Sequence, residues 1–190
     1  MNRPRMLSLL NQIGERMSGH GRVAEIAVYG GSALVLQFDF REATRDVDYI
    51  PVRCDNDLLK RVSAEVGGLH RLPDGWFSDA MRLNPLSERG QTTLLGDFPS
   101  HKPGLRVFVA QPEYIFAMKM LAMRSSLVTK DVEDIWNLWD HLCIASADEA
   151  VQVCRHYYPS KQLPQRHLLL LADIEDAKRE GLAYSPRFGY

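Results

Sequence analysis

The stretch Val28-Tyr29-Gly30-Gly31-Ser32-Ala33-Leu34, followed by Thr44-Arg45-Asp46-Val47-Asp48, decides how the first half of the chain is read. Ala24 to Tyr29 alternates as a strand, Gly30-Gly31-Ser32 breaks it, and Ala33 to Phe38 follows as a short helix. Asp46 to Val52 then returns as a second strand of period two. Glycines between a strand and a helix let the backbone approach a ligand closely. The helix N-terminus offers N–H groups and a partial positive charge to a phosphate. Ser32 adds a hydroxyl at the same place. Asp46 and Asp48 stand two apart, so both carboxylates project from one face while Val47 and Tyr49 point the other way. Two carboxylates beside a phosphate cradle suit Mg²⁺, a hard cation that takes oxygen ligands. Either piece alone reads as an ordinary turn or a solvated strand face; their pairing in a strand-turn-helix-strand context points to a site.

Working outward, Met1 to Met17 is an amphipathic helix with Met6, Leu7, Leu10, Ile13 and Met17 at helical spacing. Asp55 begins a helix whose apolar face is Leu58, Leu59, Val62 and Val66, closed by Gly67-Gly68. Residues 70 to 104 are the least periodic: Pro73-Asp74-Gly75 is a turn, Trp76 and Phe77 read as buried, Gln91 to Leu95 as a strand. Trp76 and Arg82 are expected to wall the cleft. Leu105 to Ala110 is a clearer strand, and Pro112 opens a helical half. Its helices are expected at Pro112 to Arg124, from Thr129 through Leu142, from the capping box Ser146-Ala147-Asp148-Glu149 to Pro159, and from Pro164 to Glu180. The pattern predicts an α+β chain. A mixed sheet with flanking helices occupies 1–110, and a helical bundle over 111–190 closes the cleft.

Composition agrees with a folded chain: of 190 residues 45% are hydrophobic and 25% charged. Folding a chain of this mass removes ~70% of its exposed surface, enough for a core without disulfides or a structural metal. A net charge of -1 argues against a surface that is one electrostatic trap for nucleic acid, though not against a local basic groove. The odd cysteine count, Cys54, Cys143 and Cys154, predicts a reducing cytoplasm, and no apolar run approaches the length of a membrane span.

Gly30-Gly31-Ser32 with Asp46-x-Asp48 resembles the glycine-serine and Asp-x-Asp signature of the DNA polymerase β-like nucleotidyltransferase superfamily. The order Gly-Gly-Ser-Ala, Arg41, Thr-Arg-Asp-Val-Asp, Ala117-Met118-Lys119, then Lys130-Asp131-x-x-Asp134-Ile135 is similar to small bacterial nucleotidyltransferase-like proteins related to abortive-infection toxins. The resemblance implies Mg²⁺ held by Asp46 and Asp48 and an NTP substrate. Gly30, Gly31, Ser32 and Arg45 would bind the nucleotide, Lys119 would contact phosphates and Asp131 would complete the site. The acceptor it implies is an RNA or protein hydroxyl. The alternative is a catalytically degenerate nucleotide-binding or protein-binding module, paired with a cognate antitoxin or toxin. The chain departs from the family in one respect: the strand expected to bring a third carboxylate has Arg106 and no acid, leaving Asp131 or Asp97 to substitute.

The residues also have plainer readings. Lys119 lies among Ile115, Phe116, Met118, Met120 and Leu121, so its ammonium must reach water along a groove or meet an anion. Asp131 is equally a favourable charge in a first helical turn. His141-x-Cys143 and Cys154-x-His156 offer soft ligands, but such spacing within helices does not aim both members of a pair one way.

Overall fold

The short-range signals become elements at the expected places in this computed structural model, which describes residues 1–79, 86–123 and 130–184. The elements of the first half are α1 (Arg3–Gly19), β1 (Ala24–Val28), α2 (Gly30–Gln37), β2 (Val47–Arg53), α3 (Asn56–Leu69), β3 (Phe77–Ser78), β4 (Thr92–Phe98) and β5 (Leu105–Ala110). The second half holds α4 (Pro112–Ala122), α5 (Lys130–His141), α6 (Ala147–Tyr157) and α7 (Gln165–Arg179). The helix end expected at Arg124, the start expected at Thr129, and Arg82 lie outside the described residues. Among the described residues no helix is long and apolar enough to cross a membrane. The chain divides into two compact units, Met1–Leu86 with Gln91–Ala110, and Ser87–Gly90 with Gln111–Tyr190.

The first unit is built on a five-stranded mixed sheet of order β3-β2-β1-β5-β4. β1 runs antiparallel to β2 and parallel to β5, with Val28 opposite Tyr49 and Val109. Ile26, Val28, Val47, Tyr49, Leu105, Val107 and Val109 are buried and belong, by alternation, to one sheet face. α1 lies against this side through Met6, Leu9, Leu10, Ile13 and Met17. It approaches so closely that a Cβ on Gly14 would stand 2.0 Å from the Phe98 carbonyl oxygen, and one on Gly104 would stand 1.9 Å from that of Gly14. Only glycine fits at either position.

Helix entry follows capping chemistry. Asp55 accepts from the Leu58 N–H at 3.1 Å, so it is the N-cap of α3 and not its first residue. Gly67-Gly68 does not end that helix, which continues to Leu69. A Cβ at Gly67 would lie 2.5 Å from the Trp76 indole nitrogen, so this glycine makes room for a side chain. Trp76 is buried there, donating to the Ser63 carbonyl at 3.1 Å, and belongs to the core and not to a cleft wall.

The second unit is helical. α4, apolar on nearly every side, packs against α5 and α6, and α6 packs against α7. Ser146 caps α6 by accepting from the Glu149 N–H at 3.2 Å, and Glu149 reaches back to the Ala145 N–H at 2.8 Å. Ser87–Gly90, expected with the sheet, belongs to this unit: Ser87 N–H donates to the Tyr114 hydroxyl at 2.8 Å. Gly90 seats against the Tyr114 ring. His167 is buried on α7, and its charged form is disfavoured first by burial and then by neighbouring Arg166.

Candidate functional site

β1 leads through Tyr29 into α2, whose first residue, Gly30, has φ of +60°. An L side chain rarely adopts this conformation. A Cβ there would also lie 3.7 Å from Asp48 Oδ2. At Gly31 a Cβ would meet Thr44 Oγ1 at 3.3 Å and an Arg41 guanidinium nitrogen at 3.5 Å. The two glycines therefore keep a backbone surface clear between Asp48 on one side and Thr44 and Arg41 on the other. α2 begins on that surface with the N–H groups that a helix leaves without intrahelical partners.

The turn is stitched to β2 at Asp48. Tyr29 N–H donates to the Asp48 carbonyl at 3.0 Å. The Ser32 hydroxyl donates to the Tyr29 carbonyl at 2.8 Å and accepts from the Asp48 N–H at 3.3 Å. Ser32 is 2% exposed, so the hydroxyl expected to hold phosphate instead fixes the turn and the Asp48 backbone. Ahead of β2, the Thr44 hydroxyl donates to Asp46 Oδ1 at 3.3 Å, and Thr44 N–H donates to the Met1 carbonyl at 3.1 Å. Asp46 and Arg45 are exposed and Asp48 is half-buried. Thr44 stands beside Gly31 and Asp46 because of the path of the loop, which no periodicity in the sequence reveals.

The structure gathers these residues with Asp46, Asp48, Gly30 and Gly31 in the first unit, and Lys119 with Asp131 in the second. Lys119, 8% exposed, meets Asp131 Oδ1 at 2.7 Å and Asp134 Oδ2 at 2.7 Å. Asp134 is 1% exposed and so is the more deeply committed acid, although the sequence reading gave it no role. Its position beside the Ile135–Leu138 face of α5 was the available signal.

Asp97 does not stand in for the missing third acid. It lies on β4, three strands from β2 in sheet order, which is about 14 Å at normal strand spacing. Arg106 engages it with Nε to Oδ1 at 2.8 Å and Nη2 to Oδ2 at 3.2 Å. That hydrogen bonding holds the Asp97 carboxyl below the usual carboxylate range. On the other flank of β2, Asp48 faces Ser78 in register, and Asp79 is held by Lys60 at 3.0 Å.

Asp46 and Asp48 fit a Mg²⁺ ion in one respect that matters: Mg²⁺ is commonly held by one or two carboxylates and completes its shell with water and substrate phosphate. Beside Asp48 the backbone of Gly30 carries no side chain, while Thr44 and Arg41 lie against Gly31. Among the described residues no group of three His, Cys, Asp or Glu side chains is arranged to hold a metal. No protein-family model, no curated protein and no solved structure matches the chain.

Proposed function

We propose that this chain is a Mg²⁺-dependent nucleotidyltransferase of the DNA polymerase β-like superfamily, moving a nucleoside monophosphate from an NTP to a hydroxyl of an RNA or a protein. The observation that carries the reading is the positive-φ Gly30 set against the Asp48 carboxylate. A phosphate cradle and a metal-binding acid would then share one edge of the sheet. In this reading the Gly30 and Gly31 backbone receives phosphate oxygens at the α2 N-terminus, and Ser32 fixes the turn that presents them. Asp46 and Asp48 hold Mg²⁺, and Arg45 and Arg41 flank the nucleotide. The ion supplies neutralisation of the triphosphate and of the departing pyrophosphate. Lys119, held by Asp131 and Asp134, is a buried, fixed cation of the helical unit, and Asp131 orients it.

The test incubates purified chain with each NTP, Mg²⁺ and either total RNA or a protein extract, following pyrophosphate release and transfer of an α-phosphate label. Release that needs Mg²⁺ and disappears in Asp46→Asn/Asp48→Asn is expected. Equal release by wild type and the variant would overturn the reading.

The strand neighbours of Asp48, Tyr29 and Ser78, include no acid, and this favours a second reading. The chain would then be a catalytically degenerate nucleotide-binding or protein-binding member of a toxin–antitoxin pair. It would bind NTP without releasing pyrophosphate, and its solubility or its effect on growth would change on co-expression with a neighbouring gene.

A further inference from the structure

At the end of the sheet away from Gly30, the β1–β2 ladder slips by one residue. Ile26 pairs with Pro51 but Glu25 pairs with Arg53, leaving Val52 as the extra residue of a bulge. Without that slip, strict alternation would place Arg53 on the face of Tyr49 and Pro51. The bulge turns it to the face of Glu25, in keeping with the general use of bulges to re-aim a side chain. Glu25 is in turn paired with Arg106 in the parallel β1–β5 register. The result is a cleft of about 690 Å³ lined by Arg22, Arg53 and Arg106 together with Glu25, Cys54 and Asp55. β1 has five residues, so the cleft lies about 17 Å along the strands from the Gly30 turn.

The charges in this cleft are not evenly matched. Arg106 is clamped, with two bonds to Asp97 and Nη1 at 3.5 Å from Glu25. Asp55 is turned back on α3 as its cap. Arg22 and Arg53 have no carboxylate partner among the described residues, and both are exposed. Two guanidinium groups without acids thus face a cleft of ligand size, beside a third that its partners hold in a fixed orientation. Planar N–H forks of this kind match phosphate oxygens in pairs.

We infer that the Arg22–Arg53–Arg106 cleft is a second binding site, separate from the Gly30–Asp48 site, for phosphate groups, either the terminal phosphates of a nucleotide or successive singly charged phosphodiesters of a nucleic-acid backbone. It does not depend on nucleotidyl transfer. Calorimetry with inorganic pyrophosphate, with ATP in EDTA and with a short single-stranded RNA tests it on wild type, Arg22→Gln/Arg53→Gln and Asp46→Asn/Asp48→Asn. Both arginines are exposed, so thermal melting should confirm that the first variant folds as wild type does. At least one probe is expected to bind, to weaken about tenfold or more in the arginine variant, and to keep its affinity in the aspartate variant. The bound probe should also slow alkylation of Cys54, read by mass spectrometry, while exposed Cys143 reacts unchanged. Binding of pyrophosphate or ATP identifies a small phosphorylated ligand. Binding of RNA alone, falling steeply with salt, identifies a polynucleotide backbone. Failure of every probe to bind wild type, or binding indifferent to Arg22 and Arg53, or binding lost in the aspartate variant, would overturn the assignment.

Discussion

The acids of the two units are held in opposite ways. In the first unit Asp46 is exposed and accepts from a threonine hydroxyl, while Asp48 is half-buried beside a glycine surface. In the second, Asp131 and Asp134 close on one buried ammonium, and Asp134 has lost almost all contact with water. The difference teaches that similar acid pairs serve different ends according to burial. Exposed carboxylates keep their affinity for an arriving cation, whereas a buried charge must be compensated from within the fold.

Substitutions can break or sharpen this contrast. The largest effect is expected from Lys119→Met, which strands Asp134 inside the helical unit and should cost about 3–5 kcal/mol in denaturant unfolding. A loss below about 1 kcal/mol would show that water reaches Asp134. Asp134→Asn, which keeps shape and hydrogen bonding but removes the buried charge, should cost roughly 1–3 kcal/mol. Lys119→Met combined with Asp134→Leu should recover much of the loss of the single lysine variant, because the stranded charge is then gone.

The second unit also carries a pH signature near neutrality. Burial holds the His167 imidazole below its ordinary value of 6.5, so the unfolded chain takes up a proton before the folded one does. Stability is therefore present above 6.5 and is lost as pH falls from there toward the folded value. Urea midpoints measured across this range should fall for wild type and stay flatter for His167→Gln.

Smaller effects belong to the sheet. Asp97→Asn removes a partly exposed ion pair and should cost no more than about 1 kcal/mol, since water and salt screen Arg106. Asp46→Asn/Asp48→Asn should change stability by about 0.5 kcal/mol or less, as expected for side chains that do not support the core. A loss of several kcal/mol there would make these acids structural, and the contrast between the units would fail.

Much of the fold was legible because its signals are local. The period-two runs of β1, β2 and β5 and the box at Ser146 act within a few residues, and each appears within a residue of where the sequence places it, while Asp55, read as the first residue of α3, is its cap. The α+β class follows from the same patterns. What escaped depends on partners distant in sequence. Gly67 reads as a stop signal, yet the indole of Trp76 needs the space. Ser32 reads as a phosphate ligand until its hydroxyl is seen between Tyr29 and Asp48. Of the candidate site, the glycine turn and the Asp-x-Asp pair were readable from spacing. The roles of Thr44 and Asp134 were not, because a loop path and a helix packing supply them.

The most direct measurement of the central claim is calorimetric titration of each NTP, with and without Mg²⁺, into wild type and Asp46→Asn/Asp48→Asn. The account expects at least one NTP to show binding to wild type that requires Mg²⁺ and is lost in the variant. Mg²⁺-independent binding that survives in the variant, or no NTP binding by wild type, would contradict it.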